Sequence, residues 1–346
     1  MNLNRFPPLF FQKYRFSVEV TSPMLLPEYK GSTFRGGVLT AFKSAVCMMP
    51  HGQCEICPLT DHCSYYSLFE SIKVTSSLGV PMPYIIEPPL TERRMFDAGD
   101  ALEFSVALIG KATVYWKLLI FAVRRLGQTC GIGRRVDGRR GRFRLKRVDS
   151  VGLNDSTVTV YSAQDDFQHD LPIMLTEEEV SQWNGGKHGN KETKGGGNQT
   201  QYSIRFLTPV CLIENVRENS STVHKRLVTE LDFPLLMRAL IRRLGGLSAA
   251  YCDGGRFPLS HLLDLASEIH TAEFSLVRED IQRYSRRQQK RHPIDGMKGT
   301  LRLEGNLEPF LPYLRLGEWL HIGKKTTFGL GQYQIESEGA NEEGRV

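Results

Sequence analysis

Ala101–Leu126 reads ALEFSVALIGKATVYWKLLIFAVRRL, and its two halves differ in kind. Ala101 to Ile109 reads as a strand, and Thr113 to Leu126 as an amphipathic helix. Upstream, Lys13 to Thr21 (KYRFSVEVT) alternates apolar and polar residues with period two, a strand signal. After a short loop containing proline, the stretch from Thr33 places Phe34, Val38, Leu39, Phe42, Val46 and Met49 at helical spacing, with Gly36 and Gly37 weakening the first turn. Downstream of the helix, Arg142–Val148 and Thr157–Tyr161 supply further strands. An order of strand, helix, strand, strand, helix, strand is the split βαβ plan of a ferredoxin-like domain.

Asn184 to Gln201 (NGGKHGNKETKGGGNQTQ) has almost no apolar content, so it reads as a linker or hairpin tip. Beyond it, Tyr202–Ile213 is strand-like, and Phe233–Leu244 and Ser260–Ile269 are helical. Gly299–Leu307 and Gly329–Ile335 read as strands flanking the helix Pro309–Leu320. The expectation is an α+β chain of two tandem ferredoxin-like (RRM-like) domains. The first covers 1–183 and carries a cysteine-rich insertion at 47–63; the linker covers 184–201, and the second domain covers 202–340.

A chain of 346 residues exceeds the usual single-domain size, and 40% hydrophobic with 24% charged residues places it among folded globular proteins. The formal charge of +6 leans only modestly toward a polyanionic partner. Its distribution says more. Arg134, Arg135, Arg139, Arg140, Arg142, Arg144, Lys146 and Arg147 form one cluster, and Arg283, Arg286, Arg287, Lys290, Arg291 and His292 another. Both are candidate phosphate-binding surfaces, with a solvated face as the plainer explanation. The start MNLNRFPPLFF has a proline pair where a signal peptide needs an apolar run, and the longest apolar stretch, Val114–Val123, is broken by Lys117. A cytoplasmic protein without a membrane partner is expected.

Near the C-terminus, His321-Ile-Gly-Lys-Lys-Thr-Thr-Phe-Gly-Leu-Gly331 is rich in glycine and positive charge. Gly323, Gly329 and Gly331 permit backbone conformations that turn successive amides toward one anion, while Lys324 and Lys325 add charge beside Thr326 and Thr327. The alternative is a hairpin whose glycines merely turn the chain. The spacing is not that of a Walker loop, so nucleoside triphosphate hydrolysis is not indicated. Phe328 and Tyr333 are candidates for stacking on unpaired bases, and His321 for a phosphate or base contact.

Cys47, Cys54, Cys57 and Cys63 follow the first helix with C-x6-C-x2-C-x5-C spacing. Four thiolates close a tetrahedral shell around zinc, and C-x2-C is the usual knuckle spacing, so a structural zinc is expected. An iron–sulfur cluster uses the same ligand set. His51 and His62 are alternative ligands. Cys130, Cys211 and Cys252 are isolated and read as small core residues.

The run RYSRRQQKRHPIDGMKGTLRLEGNLEPFLPYLRLGEWLHIGKKTTFGLGQY resembles the C-terminal end of the RAMP-superfamily endoribonucleases that process precursor CRISPR RNA, the sixth Cas family. RFLTPV (Arg205–Val210) resembles the opening strand of that family's second domain, and LPEYKGSTFRGGVLTAF its first helix. The resemblance implies two ferredoxin-like domains, a glycine-rich loop that grips RNA, and cleavage of a repeat hairpin with no metal required for catalysis. Such cleavage uses the 2′-hydroxyl as nucleophile and leaves a 2′,3′-cyclic phosphate and a 5′-hydroxyl; it needs a base, an acid and cations around the phosphorane. The family's histidine in or just after the first helix has no counterpart within the helix here; the nearest are His51 and His62, and His51 is the candidate base because His62 lies between two candidate metal ligands. Tyr29, Lys30, Arg35 and Lys43 are candidates for positioning and charge stabilisation. Arg139, Arg140, Arg142, Arg286 and Arg287, with the 323–331 loop, are candidate RNA contacts. The expected partners are CRISPR repeat RNA, its crRNA product and other Cas proteins of an effector complex. The rival readings are a non-catalytic RAMP subunit that binds guide RNA and a zinc-stabilised transcription factor.

Overall fold

The computed structural model describes residues 6–49, 53–70, 80–167, 170–183, 201–217, 223–255, 260–285 and 290–338. The chain divides into two compact units, one of Pro8–Thr176 with Gly246–Gly254, the other of Met1–Pro7, Glu177–Gly245 and Gly255–Val346.

In the first unit, β1 (Phe10–Val20), α1 (Gly31–Val46), β2 (Tyr84–Glu87), β3 (Ala101–Ile109), α2 (Trp116–Arg125), β4 (Ile132–Val136), β5 (Arg139–Gly141), β6 (Phe143–Val151) and β7 (Thr157–Ser162) succeed one another. The central strands lie in the order β7, β6, β1, β3, β2, all antiparallel. Within it, β6-β1-β3-β2 with α1 and α2 as crossovers is the split βαβ arrangement. Alternate residues of β1 face inward, so Phe16 stacks on Phe104 of β3 with ring centroids 5.0 Å apart, and Phe34 of α1 closes on Phe104 at 4.8 Å. Phe42, further along α1, meets Phe69 edge-on. This aromatic seam fixes α1 on the sheet. Met49, expected to continue the helix's apolar face, lies beyond its end and is exposed, because the chain turns extended at Cys47.

In the second unit, α3 (Glu177–Gln182), β8 (Gln201–Phe206), the hairpin β9 (Ile213–Arg217) and β10 (Val223–Leu227), α4 (Phe233–Tyr251), α5 (Ser260–Ala266), β11 (His270–Glu279), the hairpin β12 (Gln282–Ser285) and β13 (Lys290–Pro293), β14 (Gly296–Glu304), α6 (Leu311–Leu320) and β15 (Tyr333–Glu338) follow in turn. Residues 246–251 of α4 count with the first unit. The sheet order β15-β8-β14-β11, again antiparallel, repeats the same plan. Phe233 of α4 meets Phe310 at the start of α6 edge-on at 5.0 Å. Arg243 of α4 is buried and donates from Nε to Leu320 O, 2.8 Å away, capping the C-terminal end of α6, where the helix dipole favours a cation.

Two sequence expectations are corrected here, and a third is not reached. The strand read as Tyr202–Ile213 ends at Phe206, and residues 207–212 form a connection. The strand read from Gly329 begins at Tyr333, because residues 326–328 form a 3-10 turn. The linker expected at 184–201 lies outside the described residues except for Gln201, which opens β8. No described helix is long and apolar enough to cross a membrane.

Candidate nucleic-acid interface

The glycine-rich loop is built by close backbone approach. His321, Gly323, Lys325, Gly329 and Gly331 all have positive φ, so the chain reverses repeatedly between α6 and β15. A Cβ on Gly331 would stand 1.9 Å from Ile322 O, and one on Gly323 would stand 2.6 Å from Cys211 O; only glycine fits either place. Five loop amides are already used within the protein. Ile322 donates to Gly331 O, Lys324 to Cys211 O, Phe328 to Lys325 O, Gly329 to Thr326 O and Gly331 to Pro209 O. The Thr208 hydroxyl donates to Gly329 O at 2.7 Å and accepts from the Gln332 amide. The loop is therefore sewn onto 207–212, and the bonded amides are taken up within the protein.

Those side chains sort by exposure. Lys324 is exposed, while Thr327 and Phe328 are half-buried and Thr326 is buried. His321 is fully buried with Nδ1 3.0 Å from Leu330 O, and Tyr333 is buried with its hydroxyl donating to Leu314 O at 2.7 Å. Neither can stack on a base or meet a phosphate, so both expectations are corrected to structural roles. Burial drives the Tyr333 phenol well above its usual pKa, with Glu318 adding to the effect.

The structure joins this loop to the second basic cluster. The Arg283 guanidinium of β12 lies over the Phe328 ring, 5.1 Å from its centroid, and Lys325 Nζ donates to Pro293 O at the end of β13 at 3.1 Å. Opposite Arg283 in the hairpin register stands His292, whose Nε2 is shielded from solvent and has no hydrogen-bond partner among the described residues. In the sequence His292 is only one member of a charge run; its seat beside the loop appears once the hairpin is paired. Arg286 and Arg287 lie outside the described residues.

In the first unit, β4 and β5 form a tight hairpin with Asp137 and Gly138 at positive φ, as a two-residue turn of this hand requires. Its register sets Arg135 directly opposite Arg140, a like-charge pair that disfavours the isolated hairpin. Arg134, Arg135, Arg139, Arg142 and Arg144 are exposed, and no carboxylate among the described residues pairs with them. Arg147 differs, since it holds Asp149 at 2.6 Å, and Lys146 reaches Glu19 at 3.2 Å.

The candidate catalytic residues scatter along α1 and its approach. Lys30 is buried, and its ammonium donates to Glu28 O at 3.1 Å and Thr91 O at 2.5 Å. Desolvation, then Arg94, lowers its pKa. Tyr29 and Arg35 are half-buried, and Lys43 Nζ lies over the Tyr65 ring at 5.5 Å. His51 lies outside the described residues.

Cys47, Cys54, Cys57 and Cys63 line one small cavity with Met49, Thr60, Tyr65 and Tyr66. Among the described residues, no three or more His, Cys, Asp or Glu side chains stand in metal-holding geometry, so the cysteines share a cavity without forming a closed site. No disulfide joins any of the seven cysteines among the described residues.

A family model described as an N-terminal domain matches residues 6–172, and the model described as CRISPR-associated endoribonuclease Cas6 matches residues 204–333. An uncharacterized protein of Archaeoglobus fulgidus is 24% identical over 320 residues, covering 90% of this chain and 93% of its own length. Among solved structures, a partial Cas6-RT-Cas1–Cas2 complex superposes with a TM-score of 0.61 at 15% identity, covering all of this chain; the chain spans 49% of the length of that larger one. A Cas6 product complex superposes with a TM-score of 0.52 at 14% identity, covering 95% of this chain and 100% of the other. The segment that builds the glycine-rich loop and the β12–β13 hairpin is thus the one that matches the Cas6 family, and the fold of the chain is similar to that of solved Cas6 structures.

Proposed function

We propose that this chain binds CRISPR repeat RNA on two tandem ferredoxin-like domains and cleaves it without a catalytic metal. The 2′-hydroxyl attacks the adjacent phosphate, leaving a 2′,3′-cyclic phosphate and a 5′-hydroxyl. The carrying observation is the union of the 321–331 loop with the β12–β13 hairpin inside the segment matched by the endoribonuclease family. A platform with Lys324 exposed, Arg283 stacked on Phe328 and Lys290 at the hairpin edge suits a phosphate backbone, and the arginines of β4 and β5, which pair with no carboxylate among the described residues, add a second basic surface.

Cleavage needs a group that accepts the 2′-hydroxyl proton and one that protonates the departing 5′-oxygen. His51 is the histidine proposed for one of these roles, with Tyr29, Arg35 and Lys43 positioning the RNA and steadying charge. Incubating the protein with its repeat RNA in EDTA tests the reading, and the variant H51A tests the role of that histidine. Loss of cutting with retained RNA affinity marks an acid–base group; unchanged cutting removes it.

A second reading, a non-catalytic subunit that holds guide RNA among other Cas proteins, draws on two features. Helix α1 contains no histidine, and the Lys30 ammonium is enclosed by backbone carbonyls. RNA affinity without a cut in the same assay selects it.

A further inference from the structure

The segment that follows α1 inverts the usual pattern of burial. Ile56 is 80% exposed and Met48 84%, and Leu59 also faces solvent. In the described parts of 48–63, only Cys54, Cys57, Thr60 and Cys63 are drawn partly inward, and with Cys47 at the helix end they line one cavity. Apolar burial therefore does not hold this segment; its inward-facing groups are sulfurs. Two successive 3-10 turns place Cys57 N on Cys54 O at 3.3 Å and Cys63 N on Thr60 O at 3.2 Å, and the Tyr66 amide points at Cys63 Sγ from 3.5 Å.

We infer that Cys47, Cys54, Cys57 and Cys63, which share the cavity without forming a closed site, draw together on one zinc ion as a tetrahedral tetrathiolate that anchors Cys54–Cys63 to the C-terminal end of α1. Each thiol releases its proton to solvent as its sulfur bonds the ion; zinc undergoes no redox change. The ion is structural, since four protein ligands leave no open position for substrate. Its placement bears on the candidate site through Tyr65, which lines the cavity and carries Lys43 over its ring. This inference is independent of RNA cleavage and stands or falls by itself.

The test is elemental analysis of the full chain purified without chelator, beside the double variant C54S/C57S and the control C130S, whose thiol is outside the cavity. About one zinc per chain is expected in the parent and the control, and background in the double variant. Because the double variant can fail to fold, the parent is also stripped under reducing conditions and titrated with cobalt(II). The expected spectrum has thiolate-to-metal charge-transfer bands and the visible bands of tetrahedral cobalt, both abolished by stoichiometric zinc. A reduced, folded parent that binds neither metal overturns the inference, as does iron with acid-labile sulfide in place of zinc.

Discussion

At the scale of single residues, burial decides what each polar group can do. Lys30 illustrates this, because its ammonium answers two carbonyls in a buried turn. Replacing it with methionine should destabilise the first unit by about 1–3 kcal/mol in urea denaturation, the magnitude of stranding buried acceptors. A K30M protein as stable as the parent would show that the carbonyls find other partners. Glu318 of α6 gives a pH-dependent case. Burial raises its carboxyl from 4.5 to about 7, against the opposing Ile335 amide and Arg315. Below 4.5 the group is protonated in both states; as pH climbs toward about 7 the unfolded chain ionises first, so stability falls over that window. Glu318→Gln should thus gain on the order of 2 kcal/mol over the parent in mildly alkaline buffer and nothing in acid. Equal melting shifts at both ends of the range would contradict the assignment.

At the scale of elements, local context separates neighbouring glycines. An added Cβ at Gly36 in α1 meets nothing within 4 Å, whereas one at Gly37 stands 3.1 Å from the Leu126 side chain. Gly36→Ala should stabilise α1 by about 0.5–1 kcal/mol, and Gly37→Ala should give none of that gain, measured by thermal melting. In the loop, Lys324→Ala should weaken RNA affinity without a change in melting, whereas Gly331→Ala should lower both, since its Cβ collides with backbone. Strands with one buried face are legible in the sequence: Ala101–Ile109 has the bounds its alternation predicts, because that alternation follows the buried face. β2 reads only as an extended region because all four of its residues are buried, which leaves no alternation. β11 is illegible for the opposite reason, being exposed along almost its whole length. Helix α2 starts at Trp116 rather than Thr113, because a 3-10 turn over Gly110–Tyr115 precedes it.

At the scale of the whole molecule, charge placement matters more than the net +6. The arginines of β4 and β5 face one another without acidic partners among the described residues, and each phosphate they neutralise should appear in the salt dependence of binding. Substituting Arg134 and Arg139 with alanine should flatten the slope of log affinity against log salt by about 0.7 for each phosphate left unneutralised on single-stranded RNA, in fluorescence anisotropy. An unchanged slope would place the RNA elsewhere. The glycine-rich loop and both basic clusters are legible in the sequence, but the relation of the loop to the second cluster needs the hairpin register and the partners of Arg283 and Lys325. Spacing reveals which residues of the loop turn the chain and not which of their N–H groups are bonded within the protein. The most direct measurement is incubation of the purified chain with a labelled CRISPR repeat RNA in EDTA, beside the same RNA carrying a 2′-deoxy residue at the cut position. A single cut ending in a 2′,3′-cyclic phosphate, absent from the deoxy substrate, is the predicted result; tight binding of both RNAs with neither cut would contradict it.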